Sequence, residues 1–122
     1  MQARNTRQRQ IVTQVIQEAD RPLTVHEVLA EGQKHLSTLG LATVYREIGR
    51  LSESGELRTV SISGDPPRYE LAKHHHHHFK CTECDKVYEL EGCSDALKKL
   101  VPRGFKPQAH DLTFYGLCRV CA

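Results

Sequence analysis

The sequence predicts an α+β chain: a winged helix-turn-helix over residues 1–71, then a small β-rich domain over residues 72–122. Three observations carry this. Apolar residues recur at helical spacing in three stretches before a hairpin signal, Gly64-Asp65-Pro66-Pro67. The second half replaces that spacing with short strand-like runs. Two Cys-x-x-Cys pairs, Cys81/Cys84 and Cys118/Cys121, flank those runs.

Taken in order, residues 7–19 read as a first helix, because Ile11, Val12, Val15 and Ile16 share one face. Arg21-Pro22 interrupts the pattern. Thr24-Val-His-Glu27 is a capping box that opens a second helix, reaching about Lys34 with Val25, Val28 and Leu29 inward. In LATVYREIGRLSESG, Val44, Ile48 and Leu51 form the buried stripe of a third helix, which Gly55 stops. Two strands around Gly64 follow. Beyond the boundary, strands are expected at His76–Cys81, Lys86–Glu91 and Lys106–Leu117, with a short helix at Ser94–Val101.

Hydrophobic residues make up 39% and charged residues 26%, the balance of a soluble globular chain. No apolar run approaches the roughly 18–20 residues that span a membrane. No apolar stretch of a signal peptide follows the charged start, so a cytoplasmic location is expected. Thiols stay reduced there, and five cysteines then point to metal before disulfides. The net charge of +2 excludes bulk charge as an argument for nucleic acid. Only the start is locally basic, with Arg4, Arg7 and Arg9 and no acid before Glu18. DNA affinity would have to come from the placement of charge.

The strongest chemical signal is the pair of knuckles. Four thiolates match the tetrahedral site that zinc prefers. The 33 residues between Cys84 and Cys118 exceed the usual ribbon spacing, so zinc would staple the ends of real structure. Reduced structural cysteines and an iron–sulfur site are the alternatives.

Five histidines, His74 to His78, lie just before Cys81. A purification tag sits at a terminus; this run is internal. In an extended chain, His75 and His77 face one way and His74, His76 and His78 the other. Residues i and i+2 are about 6.5–7 Å apart at Cα, so their imidazoles can converge on one metal. The strand would then serve two sites, one per face; a solvated spacer is the bland alternative. Glu70 and Glu89 flank the run, Cys93 is outside both knuckles, and His110 is the last histidine. Cys93 as a nucleophile with His110 as base lacks any accompanying oxyanion-stabilising motif, so no enzyme is expected.

On the third helix, Arg46 and Arg50 lie one turn apart, within reach of phosphates or guanine edges, and Tyr45 can pack on a thymine methyl. A solvated amphipathic helix remains the alternative from spacing alone.

GLATVYREI, PRYEL, HHHHHFKCTEC and HDLTFYGLCRVC, in this order over nearly the whole chain, resemble the ferric uptake regulator superfamily of metal-sensing repressors. The resemblance implies a homodimer with an N-terminal winged helix that binds a palindromic double-stranded operator. It makes residues 72–122 a small α/β dimerisation domain. It assigns Cys81, Cys84, Cys118 and Cys121 to structural Zn2+. It assigns Glu70, His76, His78 and Glu89 to an inter-domain regulatory site. It assigns His75, His77 and His110 to a second site, whose fourth ligand in relatives is usually a glutamate; here Cys93 is the best-placed candidate. Candidate DNA contacts are Arg4, Thr43, Tyr45, Arg46 and Arg50.

Two departures bear on the metal. Pro22 stands where many relatives supply an inter-domain histidine, which leaves that site either weaker or filled otherwise, with His26 one candidate. Cys93 in place of a carboxylate softens the other site, and thiolate with imidazole favours Zn2+ over Fe2+ or Mn2+. The expectation is a zinc-sensing repressor of metal-uptake genes, of the zinc uptake regulator branch. An iron- or peroxide-responsive regulator is the alternative within the superfamily; a zinc buffer or trafficking protein, or a redox switch, is the alternative outside it.

Overall fold

A computed structural model describes residues 2–73 and 75–122, with side chains from Thr6 onward. The Arg4 side chain and His74 lie outside the described residues. The chain divides into two compact units, Met1–Ala72 and Lys73–Ala122.

The first unit runs α1 (Gln2–Ala19), β1 (Leu23–Thr24), α2 (Val25–Gln33), α3 (Leu41–Glu53), β2 (Leu57–Val60) and β3 (Arg68–Leu71). Helix α1 begins five residues before the expected Arg7. Its first turns are Gln- and Arg-rich, good helix formers that carry no apolar stripe to read. Ile11, Val12, Val15 and Ile16 of α1 pack with Val25 and Val28 of α2 and Val44, Ile48 and Leu51 of α3. Gly55 takes φ 84°, the left-handed conformation that lets the chain leave α3 for the wing.

Strand β1 was not expected. Its two residues pair antiparallel with β3, Leu23 with Tyr69 and Thr24 with Arg68, giving the sheet order β1-β3-β2. Two residues are too few for a readable alternation. The capping box is present as expected. The Glu27 amide donates to Thr24 Oγ1 at 3.1 Å, and the Thr24 amide donates to Glu27 Oε1 at 2.9 Å. Glu27 also accepts from Arg21 at 3.0 Å and from the buried Arg68 at 2.9 Å, tying the wing strand to α2.

The second unit is a three-stranded sheet, β4 (His77–Cys81), β5 (Val87–Leu90) and β6 (Thr113–Gly116), in the order β5-β4-β6. Strand β5 pairs antiparallel and β6 parallel to β4, with His78 opposite Thr113 and Cys81 opposite Gly116. A parallel neighbour needs a long crossover. That crossover carries the short helix expected at Ser94–Val101, as a 3-10 helix over Asp95–Leu100. Ser94 caps it, accepting from the Ala96 amide at 3.2 Å, but none of its residues is buried, so no apolar face extends it. The third strand is also shorter than the expected Lys106–Leu117. Pro107 has no N–H to give a ladder, and His110 lies outside the strand. Among the described residues, no helix is long and apolar enough to cross a membrane.

Candidate metal centres and nucleic-acid interface

Cys81 closes β4 and is fully buried. Its Sγ accepts from the amides of Cys84 at 3.5 Å and Cys118 at 3.4 Å, which joins the two knuckles. Asp85 takes φ 64°, turning the chain out of the first knuckle as its amide donates to the Cys81 carbonyl at 3.1 Å. Cys84 and Cys118 Sγ are 3.9 Å apart, and the four sulfurs lie within 4.8 Å of one another. Tetrahedral zinc with Zn–S of about 2.3 Å requires sulfurs about 3.8 Å apart. The donors therefore fit zinc in number, type and spacing.

The local electrostatics favour the thiolate that zinc needs at Cys81 and Cys118 and oppose it at Cys121. The Cys84 and Cys118 amides hold the Cys81 thiol down to about 6. Cys118 is lowered too, first by the Cys121 amide and then by the Tyr88 hydroxyl. Cys121, bonded to Cys118, is pushed up to about 12. Tyr88 on β5 was not anticipated. Its bond to Cys118 pushes the phenol up to about 12, so it stays a donor to the sulfur. Nothing in the spacing of the cysteines points to a tyrosine on a neighbouring strand.

A second cluster joins His75, His77, Cys93 and His110. His77 Nε2 lies 3.3 Å from Cys93 Sγ, and His110 Nε2 lies 3.1 Å from that sulfur and 3.0 Å from His75 Nε2. Three different segments meet here: the start of β4, the turn before the 3-10 helix, and the chain leading into β6. Only His77 is buried; the other three are exposed. The Leu112 amide donates to His77 Nδ1 at 3.2 Å, so the proton of the neutral ring sits on Nε2, towards the Cys93 sulfur, and ligation through Nε2 would require that proton to leave it and the Leu112 bond to be given up. Burial, then the neighbouring His75 and His110, lower the His77 imidazole and keep it neutral, the form that ligates. Imidazole and thiolate ligands on one tetrahedral zinc would sit about 3.3–3.6 Å apart, so these contacts need to open by a few tenths of an ångström.

The other histidine face holds His76 and His78, ring centroids 4.8 Å apart. Glu89 of β5 lies opposite His78, 4.0 Å from His76 Nε2, and accepts from Lys73 at 3.2 Å. Glu70 belongs to the first unit, in β3, where it accepts from Arg58 at 3.2 Å. Pro22 is fully buried.

On α3, Tyr45 is 53% exposed and Arg46 is exposed. Arg46 Nη2 donates to Thr43 Oγ1 at 3.1 Å. The Arg50 guanidinium is bound to Glu47, with Nε 3.1 and 3.2 Å from the two carboxylate oxygens. Glu47 is buried and is also approached by Arg9 of α1 at 3.8 Å. A cleft of about 220 Å³ between α1 and α3 is lined by Gln8, Arg9, Thr43, Arg46, Glu47 and Arg50. Sequence reading missed Glu47, although its place three residues after Val44 puts it on the buried stripe.

A winged-helix unit with an exposed Tyr-Arg pair, joined to a sheet that gathers cysteines and histidines, defines the class of metal-responsive DNA-binding regulators. A family model described as the ferric uptake regulator family matches residues 1–115, and the chain belongs to that family. It is 33% identical over 121 residues to a ferric uptake regulation protein of Bacillus subtilis, covering 83% of this chain and 81% of that one. Among solved structures it is similar to a zinc-bound manganese uptake regulator, with a TM-score of 0.79, 23% identity, and 91% and 87% of the two chains covered. It is also similar to FurB of M. tuberculosis, a zinc uptake regulator, with a TM-score of 0.55, 25% identity, and 98% and 96% covered. Members of the family are transcriptional regulators, not enzymes.

Proposed function

We propose that this regulator is a zinc-responsive repressor that binds a palindromic operator as a homodimer in the cytoplasm and controls metal-uptake genes. The observation that carries the zinc assignment is the contact of Cys93 with His77 and His110, apart from the four-cysteine staple. One thiolate halves the +2 charge that three neutral imidazoles would leave, and soft sulfur favours zinc. Bound there, zinc would supply charge and a rigid tetrahedral geometry, not a reaction.

Within the same proposal, the chain's own residues do the switching. Glu70 before the boundary, and His76, His78 and Glu89 after it, share a regulatory metal. Ligands on both sides of Ala72–Lys73 restrict how the two units turn against each other. In a dimer, that orientation sets the spacing of the two α3 helices, which a palindrome demands at about one helical turn or a multiple. The population shifts only by the differential affinity of the ligands for the metal in the two arrangements. The exposed Phe105, Phe114, Tyr115 and Leu117 of the second unit support a second copy as their cover.

DNA-binding titrations of metal-stripped protein with zinc, iron and manganese test the assignment. Zinc is expected to promote binding at the lowest free concentration; promotion by iron alone would overturn it. Arg46→Ala is expected to weaken specific binding by about 1–3 kcal/mol per protomer. An iron-responsive reading is the second possibility, favoured by the ferric uptake regulation proteins among the chain's relatives.

A further inference from the structure

The DNA-facing helix carries a carboxylate directly after Arg46. Against a polyanion, an open carboxylate at this place would oppose binding. Glu47 is not open: its side chain is 4% exposed and lies beneath two guanidinium groups. Arg50, 51% exposed, reaches both of its oxygens, and Arg9, 60% exposed, approaches from α1. The cleft above them holds three arginines and one acid. Arg46 is the arginine whose hydrogen bond goes to a neutral group, Thr43.

We propose that Glu47 is a positioning residue that meters DNA phosphate contact: it holds Arg50 down on the protein surface, so that Arg46 makes the phosphate contact from α3. The inference rests on the DNA-binding reading above. Its physical basis is that each arginine that neutralises a phosphate adds affinity for any sequence, with a salt slope of about 0.9 per contact. Discrimination is the ratio of specific to non-specific binding. Holding Arg50 on Glu47 lowers the sequence-independent part and leaves Tyr45 and Arg46 at the surface. A carboxylate that merely cross-linked α1 to α3 would affect stability and leave the salt slope alone.

The test uses the full chain, zinc-loaded, with a random-sequence duplex of about 25 base pairs, long enough for a dimer on half-sites about one helical turn apart. Fluorescence anisotropy is followed over a range of sodium chloride. Glu47→Gln is expected to bind this duplex more tightly at low salt, with a slope steeper by about 0.9 per protomer. Glu47→Gln combined with Arg50→Gln is expected to return the slope to that of the parent. In the parent background, Arg50→Gln is expected to flatten the slope by less than half as much as Arg46→Gln. This last comparison alters an exposed residue and stands even where Glu47→Gln folds poorly. An unchanged slope in Glu47→Gln, a gain that survives Arg50→Gln, or equal losses from Arg50→Gln and Arg46→Gln would each overturn the inference. No salt-dependent binding by the parent, or no effect of Arg46→Gln, sinks the DNA-binding reading itself and this inference with it.

Discussion

The two units are held together by different means. In the first, twelve buried apolar residues drawn from three helices, two strands and the connection between α2 and α3 form one cluster. In the second, the buried apolar residues among those described are Cys81, Val87 and Cys118, two of them candidate zinc ligands. The second unit also leaves Leu100, Phe105, Phe114, Tyr115, Leu117 and Val120 exposed. The first unit derives its stability from burial. The second has little core of its own, and its cysteine and histidine clusters could hold metal that takes that place.

The largest test of this contrast is Cys118→Ser. Structural zinc contributes on the order of 10 kcal/mol of folding free energy. Loss of one zinc and of amide protection across β4–β6 is expected, with α1–α3 still protected in hydrogen exchange. A second unit that keeps its protection without this zinc breaks the comparison. The reciprocal change is Leu23→Ala, at a residue 1% exposed in the core of the first unit. It is expected to destabilise that unit by about 2–5 kcal/mol and leave the zinc stoichiometry unchanged.

Cys93→Ala sharpens the comparison inside the second unit. It is expected to weaken the second zinc by about 10–100-fold or more, judging by the scale of outer-ligand losses. The staple shares no donor with this cluster and is expected to keep its metal. Mass spectrometry of alkylated protein is the check. Cys93 labelling quickly while every non-structural metal stays bound removes it from the ligand set.

Acid provides the smallest and most graded test. Zinc affinity falls with pH because its thiolate and imidazole ligands must be deprotonated. The lowered His77 imidazole resists this further into acid than an ordinary histidine. In the first unit, burial opposes ionisation of Glu27, but the Thr24 amide and the Arg21 and Arg68 guanidiniums outweigh it and hold it below 4.5. A carboxyl lowered on folding adds stability that is present above 4.5 and lost as pH falls through its folded value. Loss of this contribution is expected below 4.5, read by circular dichroism, and zinc release is followed in the same titration by a metal-sensitive dye.

Features made by neighbours in sequence were legible in the sequence. Val44, Ile48 and Leu51 name their own buried face, and Thr24 with Glu27 names its capping box, because the helix repeat brings such residues together whatever surrounds them. The paired cysteines and the alternating His75 and His77 are legible for the same reason. Their grouping with His110 came through resemblance, and Cys93 was the cysteine left outside both knuckles; the contacts themselves required the parallel placement of β6 beside β4. That placement depends on a crossover with no readable period, which is also why the third strand proved shorter than expected.

The sequence by itself determined the helical stripes, the cap, the two knuckles and the division between an apolar half and a cysteine- and histidine-rich half. Tertiary structure alone decided that Arg68 reaches Glu27 across 41 positions, that Tyr88 bonds Cys118, and that Arg9 of α1 approaches the Glu47–Arg50 pair of α3. The reason is one of distance along the chain. Local pairs are set by backbone repeats of 3.6 or 2 residues, whereas a buried charge or an outer hydrogen bond finds its partner only after distant elements have packed.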